Sequence, residues 1–216
     1  MGIFDANGGF VQGLGKMIDT IFLSILFLIS CLPIFTIGTA TTALYYTVNK
    51  VIKNDRGHVF REYVSAFKNN FKQTTPVWFL VMLLFGILGI DIYILHVFGQ
   101  NGSQLGNLTI FFLVMGVVFF VWVLYLFAYM ARFENTRKES MKNAAIIAVT
   151  NLPWSALLFI MTVVAALLMY GWTISIIFMP GVFTIMENCI LEKIFWKYMS
   201  EEDRAAELER NREFKN

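Results

Sequence analysis

Charge is scarce in this chain. Only 15% of its 216 residues are Asp, Glu, Lys or Arg, against about 25% in an ordinary soluble domain. The longest polar stretch, residues 50–75, is too short for an independent domain. Histidine and cysteine number two each. His58 and His96 lie far apart in the chain, and Cys31 and Cys189 sit inside apolar runs, where they read as small packing residues. No His, Cys or carboxylate cluster has metal-ligand spacing. There is no phosphate-binding loop and no nucleophile elbow. These absences argue against an enzyme and imply no metal and no cofactor. The net charge of +2 gives no reason to expect nucleic acid. The start of the chain lacks a basic segment followed by an apolar run and a small-residue cleavage pattern, so the first apolar run reads as an uncleaved anchor.

Long apolar runs are what the chain has in abundance. Residues 18–46, 77–98, 108–131, 152–170 and 172–191 are each long enough to cross a bilayer, since about 20 apolar residues span the hydrocarbon as a helix. Within lipid the backbone must satisfy its own hydrogen bonds, which leaves helices or closed barrels. The alternation of barrel strands is missing. The expected fold is therefore an all-α, polytopic helical membrane bundle with five transmembrane helices, filling residues 1–199. The first run is odd: as a helix it is about 43 Å long, and Pro33 interrupts it ahead of Gly38. We read it as one tilted, broken span. Two short helices flanking Pro33, giving six passes, are the alternative.

Of 17 Lys and Arg, all but Lys16 fall in residues 50–72, 132–142 and 193–215. The positive-inside rule places these three segments in the cytoplasm. Five passes then put the C-terminus in the cytoplasm and the N-terminus outside. Residues 59–73 form an amphipathic pattern, with Phe60, Tyr63, Val64, Phe67 and Phe71 on one face and Arg61, Ser65, Lys68 and Lys72 on the other. This predicts a cytoplasmic helix in the membrane interface, basic side towards lipid headgroups. Residues 137–150 are a weaker copy and read as a connector. Residues 200–216 form a charged tail whose helix, over 201–213, is expected to project into the cytoplasm, with Ser200 and Asp203 resembling a capping box.

Few ionisable groups lie within the apolar runs, so each is informative. Asp91 sits towards the outer side of the second run, with Lys16 and Asp19 at the outer end of the first. As the lone basic side chain on that half, Lys16 is the expected partner of Asp91. Pro33-Ile-Phe-Thr36 and Pro180-Gly-Val-Phe-Thr184 almost repeat one another. Paired interrupted helices point to a central site in transport proteins. Thr36, Thr39, Thr184, Glu187 and Asn188 lie at similar depth. They form either a packing seam of small and hydroxyl residues between first and last spans or a polar cavity.

Several motifs are familiar. Leu32-Pro33-Ile34-Phe35-Thr36-Ile37-Gly38, Ala43-Leu44-Tyr45-Tyr46, Phe67-Lys68-Asn69-Asn70-Phe71-Lys72-Gln73 and Trp78 together resemble the YesL-like family of bacterial membrane proteins. The resemblance implies a bacterial plasma-membrane protein whose gene neighbours carbohydrate ABC importers. It implies a structural or docking role for Pro33, Thr36, Gly38, Phe67, Asn70 and Phe71. The family has no established activity, so no catalytic residue is carried over. The chain lacks the coupling loop of an ABC permease, an acidic–Ala–Ala opening followed by glycine. The expected function is thus a non-enzymatic accessory or regulatory subunit beside the permease subunits of a carbohydrate importer, in contact with membrane lipid. The alternative is an independent small-solute transporter or channel with a polar site between the broken first and last helices.

Overall fold

The computed structural model describes residues 9–101, 103–199 and 201–213. Among them the chain is all helix and turn, with no strand. Eight α-helices follow one another: α1 Gly9–Cys31, α2 Ile37–Thr47, α3 Val59–Gln100, α4 Leu108–Arg132, α5 Arg137–Thr150, α6 Leu152–Gly171, α7 Met179–Tyr198 and α8 Glu201–Glu213. Four of the helical segments are long and apolar enough to cross a membrane, namely α1, α3, α4 with its preceding turn, and α6. Their apolar side chains point outward. On α1, Met17, Ile18, Ile21, Phe22, Ile25 and Ile29 are exposed, while Thr20, Leu23 and Ser24 face inward. Lipid tails are as apolar as these side chains, so the bundle interior takes the small and hydroxyl residues that let helices approach and bond.

The first apolar run is two helices, not one broken span. Proline has no N–H to continue a helix, and α1 ends two residues before Pro33. Thr36 closes the turn, its hydroxyl donating to the carbonyls of Ser30 at 2.5 Å and Pro33 at 2.6 Å. The chain then reverses into α2, which packs against α1, α3, α4 and α7. The break at Pro33 is that of the six-pass alternative, but α2 alone, with 11 residues, is about 16 Å long and falls short of a span. It is the buried centre of the fold: Thr39, Ala40, Thr42 and Ala43 have no exposed surface. Thr41, Thr42 and Thr47 donate to carbonyls four residues back. Thr39 instead bonds across to Thr74 and Thr75 of α3 at 2.7 and 3.1 Å. A π-helical turn, Val48–Lys53, leads out of α2.

That reversal overturns the expected placement of Lys16. Its ammonium lies 2.9 Å from Asp55, in the loop after the π turn, and is not the partner of Asp91. The contact brings the start of α1 beside the 54–58 loop. The five-pass arrangement expected from sequence puts these two segments on opposite sides, and among the described residues four helical segments are long and apolar enough to cross. Asp19 and Asp91 are each half-buried, on α1 and α3.

The amphipathic segment 59–73 is likewise not a separate interfacial helix. It runs without a break into the next apolar run as α3, 42 residues and about 63 Å long. Pro76 sits inside this helix and cannot bond the carbonyl four residues back. That orphaned carbonyl, of Lys72, accepts from Arg137 Nη2 at 2.8 Å, and Gln73 alongside donates to the Asn135 carbonyl at 2.7 Å. The α4–α5 connection therefore repairs the defect that would otherwise end the helix. Along its first half Tyr63 is buried, Phe67 and Phe71 are half-buried, and Arg61, Lys68 and Lys72 are exposed. Phe60 departs from the pattern at 57% exposure.

Pro180 does not kink the middle of a span. A 3-10 turn, Thr173–Ile177, fills the start of the fifth apolar run, and Pro180 stands in the first turn of α7, where a missing N–H costs nothing. Its neighbour Gly181 packs on α1, its N–H donating to Ser24 Oγ at 2.9 Å. With Glu187, Glu192, Lys193 and Lys197 along it, α7 is not among the helices apolar enough to cross by composition. The tail helix α8 has the expected bounds but does not project freely, since Glu207 is 4% exposed. Ser200, of the expected capping box, lies outside the described residues.

Candidate functional site

Two arginines from opposite parts of the chain meet two glutamates at one point. Arg56 comes from the loop between the π turn and α3, Arg132 from the last residue of α4, Glu192 from α7 and Glu207 from α8. Arg132 Nε lies 3.3 Å from Glu192 Oε2 and its Nη1 lies 3.1 Å from Glu207 Oε2. Arg56 Nη2 lies 3.1 Å from the other oxygen of Glu207. The remaining oxygen of Glu192 accepts from Tyr45 Oη and Asn49 Nδ2, each at 3.2 Å. All four charged side chains are 13% exposed or less. Buried ions persist only when paired and hydrogen-bonded. Here two cations balance two anions, and the planar guanidinium fork suits the carboxylates better than a lysine ammonium would.

Arg56, Arg132 and Glu207 of the cluster line a cavity of about 1340 Å³ between the exit of α2, the first half of α3, the α4–α5 connection and α8. Its lining carries six cations, Lys50, Arg56, Lys72, Arg132, Arg137 and Lys138, against two carboxylates, Glu134 and Glu207. Asn49, Asn69, Asn70, Gln73 and Asn135 add amides. Part of this charge is committed: Lys50 pairs with Glu62 at 2.7 Å. Lys72 and Lys138 are exposed at the rim. The opposite wall is held rigid. Thr136 caps α5 in a reciprocal box with Glu139, and those hydrogen bonds hold the Glu139 carboxyl below its usual range. Asn135 and Asn143 both donate to Tyr129 Oη, at 2.7 and 3.0 Å. The lining hydroxyl of Thr136 is spent on the cap, donating to Glu139 Oε2 at 2.8 Å. Among the described residues no group of three His, Cys, Asp or Glu is placed to hold a metal.

Of the residues singled out from sequence, Asn70 and Lys72 line this cavity. Asn70 donates to the Ala66 carbonyl and accepts from Thr74 through its own carbonyl. Thr36, Thr39 and Thr184 are not joined to one another by hydrogen bonds among the described residues. Thr36 serves the Pro33 turn, Thr39 bridges to α3, and Thr184 donates to the Pro180 carbonyl at 2.8 Å. Gly38 packs on α3 and α4, not on α7. Glu187, 5% exposed, and Asn188, 1% exposed, lie on the buried side of α7. Asn188 Oδ1 accepts from Lys53 at 3.2 Å, while its amide nitrogen has no partner. Arg56, Arg132, Glu192 and Glu207 were not legible as a site, because no two of them are close in sequence and each reads alone as a flanking charge.

No curated protein and no solved structure matches the chain. A family model described as a protein of unknown function, DUF624, matches residues 20–92, from α1 into α3, a stretch that includes Arg56 and the α3 wall of the cavity and agrees with the YesL-like resemblance of the same region.

Proposed function

We propose that this protein is a non-enzymatic accessory subunit of a bacterial plasma-membrane assembly, with the polar cavity open to the cytoplasm and receiving an acidic element of a partner. The partners are the permease subunits of a carbohydrate ABC importer. The observation that carries this reading is the cavity's outer lining: with Lys50 paired to Glu62 and the two arginines of the cluster paired to Glu192 and Glu207, Lys72, Arg137 and Lys138 face it against Glu134. A field of one sign in a recess concentrates an opposite charge and steers its approach. The orientation follows from the lysines and arginines of residues 50–72, 132–142 and 193–215 under the positive-inside rule. The Lys16–Asp55 contact supports putting the start of α1 on the same side as the 54–58 loop in this reading.

Two experiments test it. Cysteines placed one at a time at Ser103, Ser65 and Gly13 should divide under a membrane-impermeant maleimide in intact cells: Ser103 labels, the other two do not. Labelling at Gly13 without Ser65 would restore the five-pass arrangement. Affinity purification from native membranes in mild detergent should recover a permease in stoichiometric amount. Lys72→Glu with Lys138→Glu, both exposed at the rim, should lower that recovery at least tenfold, about 1.4 kcal/mol, at unchanged protein level. A second reading, a solute carrier, is favoured by Glu187 alone, which is 5% exposed on α7 in a position expensive for a charge. A solitary particle whose solute-dependent growth is lost with Glu187→Gln would establish the carrier and remove the subunit.

A further inference from the structure

We infer that α8 is a built-in competitor for the cavity: its Glu207 occupies a two-arginine carboxylate site, and an acidic segment of the partner takes the same site by displacing it. This rests on the accessory-subunit reading above and names how the cavity is regulated.

The attachment of α8 is unusual in kind. Of residues 201–209, Glu207 is the one buried side chain, and the remainder are exposed apart from half-buried Arg204. Leu208, the large apolar side chain available, is 49% exposed. The helix is therefore not held by an apolar face. Its contacts include one carboxylate at its centre, whose two oxygens each meet a different guanidinium at 3.1 Å, and, near its start, Arg204 donating to the Lys197 carbonyl at 3.1 Å. Elements with little apolar burial are the first to open.

The site it fills cannot stay empty cheaply. Without Glu207, Arg132 keeps Glu192 but Arg56 loses the carboxylate it pairs with, in surroundings where each arginine is 13% exposed or less. A buried charge that loses its partner is strongly unfavourable. Opening is thus coupled to the arrival of a replacement carboxylate. Arg56 Nε is already buried with no hydrogen-bond partner, a donor that α8 does not use. The kind of ligand is indicated by the present occupant, an acidic helix carrying Glu201, Glu202, Asp203, Glu207 and Glu209. The adjoining cavity of about 1340 Å³ has room for a peptide segment, and its exposed rim lysines favour acidic flanks.

The probe is a synthetic peptide with the sequence of residues 201–213, added in trans to the full chain in nanodiscs of zwitterionic lipid. Removal of the tethered competitor should strengthen binding of an outside one. Glu207→Gln protein is expected to bind the peptide at least tenfold more tightly than the natural chain. The same peptide with Gln in place of Glu207 should bind neither. Tryptic cleavage after Arg204 should be at least tenfold faster in Glu207→Gln, and in the natural chain with saturating peptide, but unchanged in Glu209→Gln, which alters an exposed carboxylate of the same helix. Equal cleavage of Glu207→Gln and the natural chain overturns the proposal, as does equal binding of the Glu and Gln peptides. Inorganic phosphate displacing α8 as well as the peptide does would also overturn it, by showing a general anion site. The two readings separate in the purification experiment. A permease recovered equally by the natural chain and Glu207→Gln defeats the competitor and leaves the subunit standing. A permease recovered with neither, while the peptide still displaces α8, defeats the subunit alone.

Discussion

Gly38→Leu is expected to prevent accumulation of folded protein, and Gly38→Ala to lower its stability measurably. A Cβ at this position would lie 2.7 Å from Trp78 Cβ and 2.8 Å from Phe127 Cε1. Trp78 Cβ is fixed by the α3 backbone, and its indole is further held by a 2.7 Å hydrogen bond to the Ile34 carbonyl. Phe127 is 2% exposed in the main apolar cluster, its ring tilted at 59° to that of Trp78 with 5.9 Å between centroids. Neither neighbour can withdraw without moving a helix. Alanine gains about 1 kcal/mol of helix propensity over glycine, but overpacking a dense core costs about 1–3 kcal/mol or more, so the clash wins. The check is the midpoint of thermal aggregation in detergent, read by size exclusion. Gly86→Ala is the internal comparison. Gly86 is also inside a helix but has nothing within 4 Å of the added Cβ, so its variant should be neutral or slightly more stable. If Gly38→Ala behaves like Gly86→Ala, the close approach of α2, α3 and α4 at that point is wrong.

Arg132→Gln is expected to cost about 3–5 kcal/mol, the range for removing one member of a buried ion pair. Its guanidinium contacts Glu192 and Glu207 together, so its loss strands charge on both. Glu192→Gln should cost less, because the replacement amide oxygen still accepts from Tyr45 and Asn49. Arg132→Met combined with Glu192→Leu should cost less than the two single changes summed, since each partner's penalty comes from the other being left behind. Denaturation in mixed micelles of Arg132→Gln, Glu192→Gln, Arg132→Met, Glu192→Leu and the Met/Leu double gives all five values. A loss below 1 kcal/mol for Arg132→Gln, or strict additivity of the pair, would mean that water screens the cluster and that its charges are not held as buried ion pairs.

Local chemistry was readable from sequence where it acts over a few residues. Pro33 stops a helix because of its own missing N–H, and α5 and α8 begin and end where the pattern of apolar and charged residues places them. Pro180 shows the limit of that reading. The same residue type is a kink in mid-helix and harmless in the first turn, and the 3-10 turn over Thr173–Ile177 that decides between them has no distinctive sequence. Pro76 shows it from the other side, since α3 passes through it with help from Arg137, 61 positions further along the chain. Lys16 was assigned to Asp91 by depth along apolar runs, and depth is meaningless until the chain's reversal at Pro33 is known.

The sequence by itself determined that the chain is an all-helical, multi-pass membrane protein, because the apolar runs and the need to satisfy every backbone group in lipid leave no other solution. It determined which segments carry the basic charge. Only the tertiary structure decided which of those charges meet. Arg56, Arg132, Glu192 and Glu207 are spread over 152 positions, and nothing short of folding brings four such groups together. Their pairing depends on the reversal at Pro33, on the close seat of α2 allowed by Gly38, and on the path of α8. Each is a long-range packing outcome, set by which surfaces exclude lipid and water together and not by any residue's local preference.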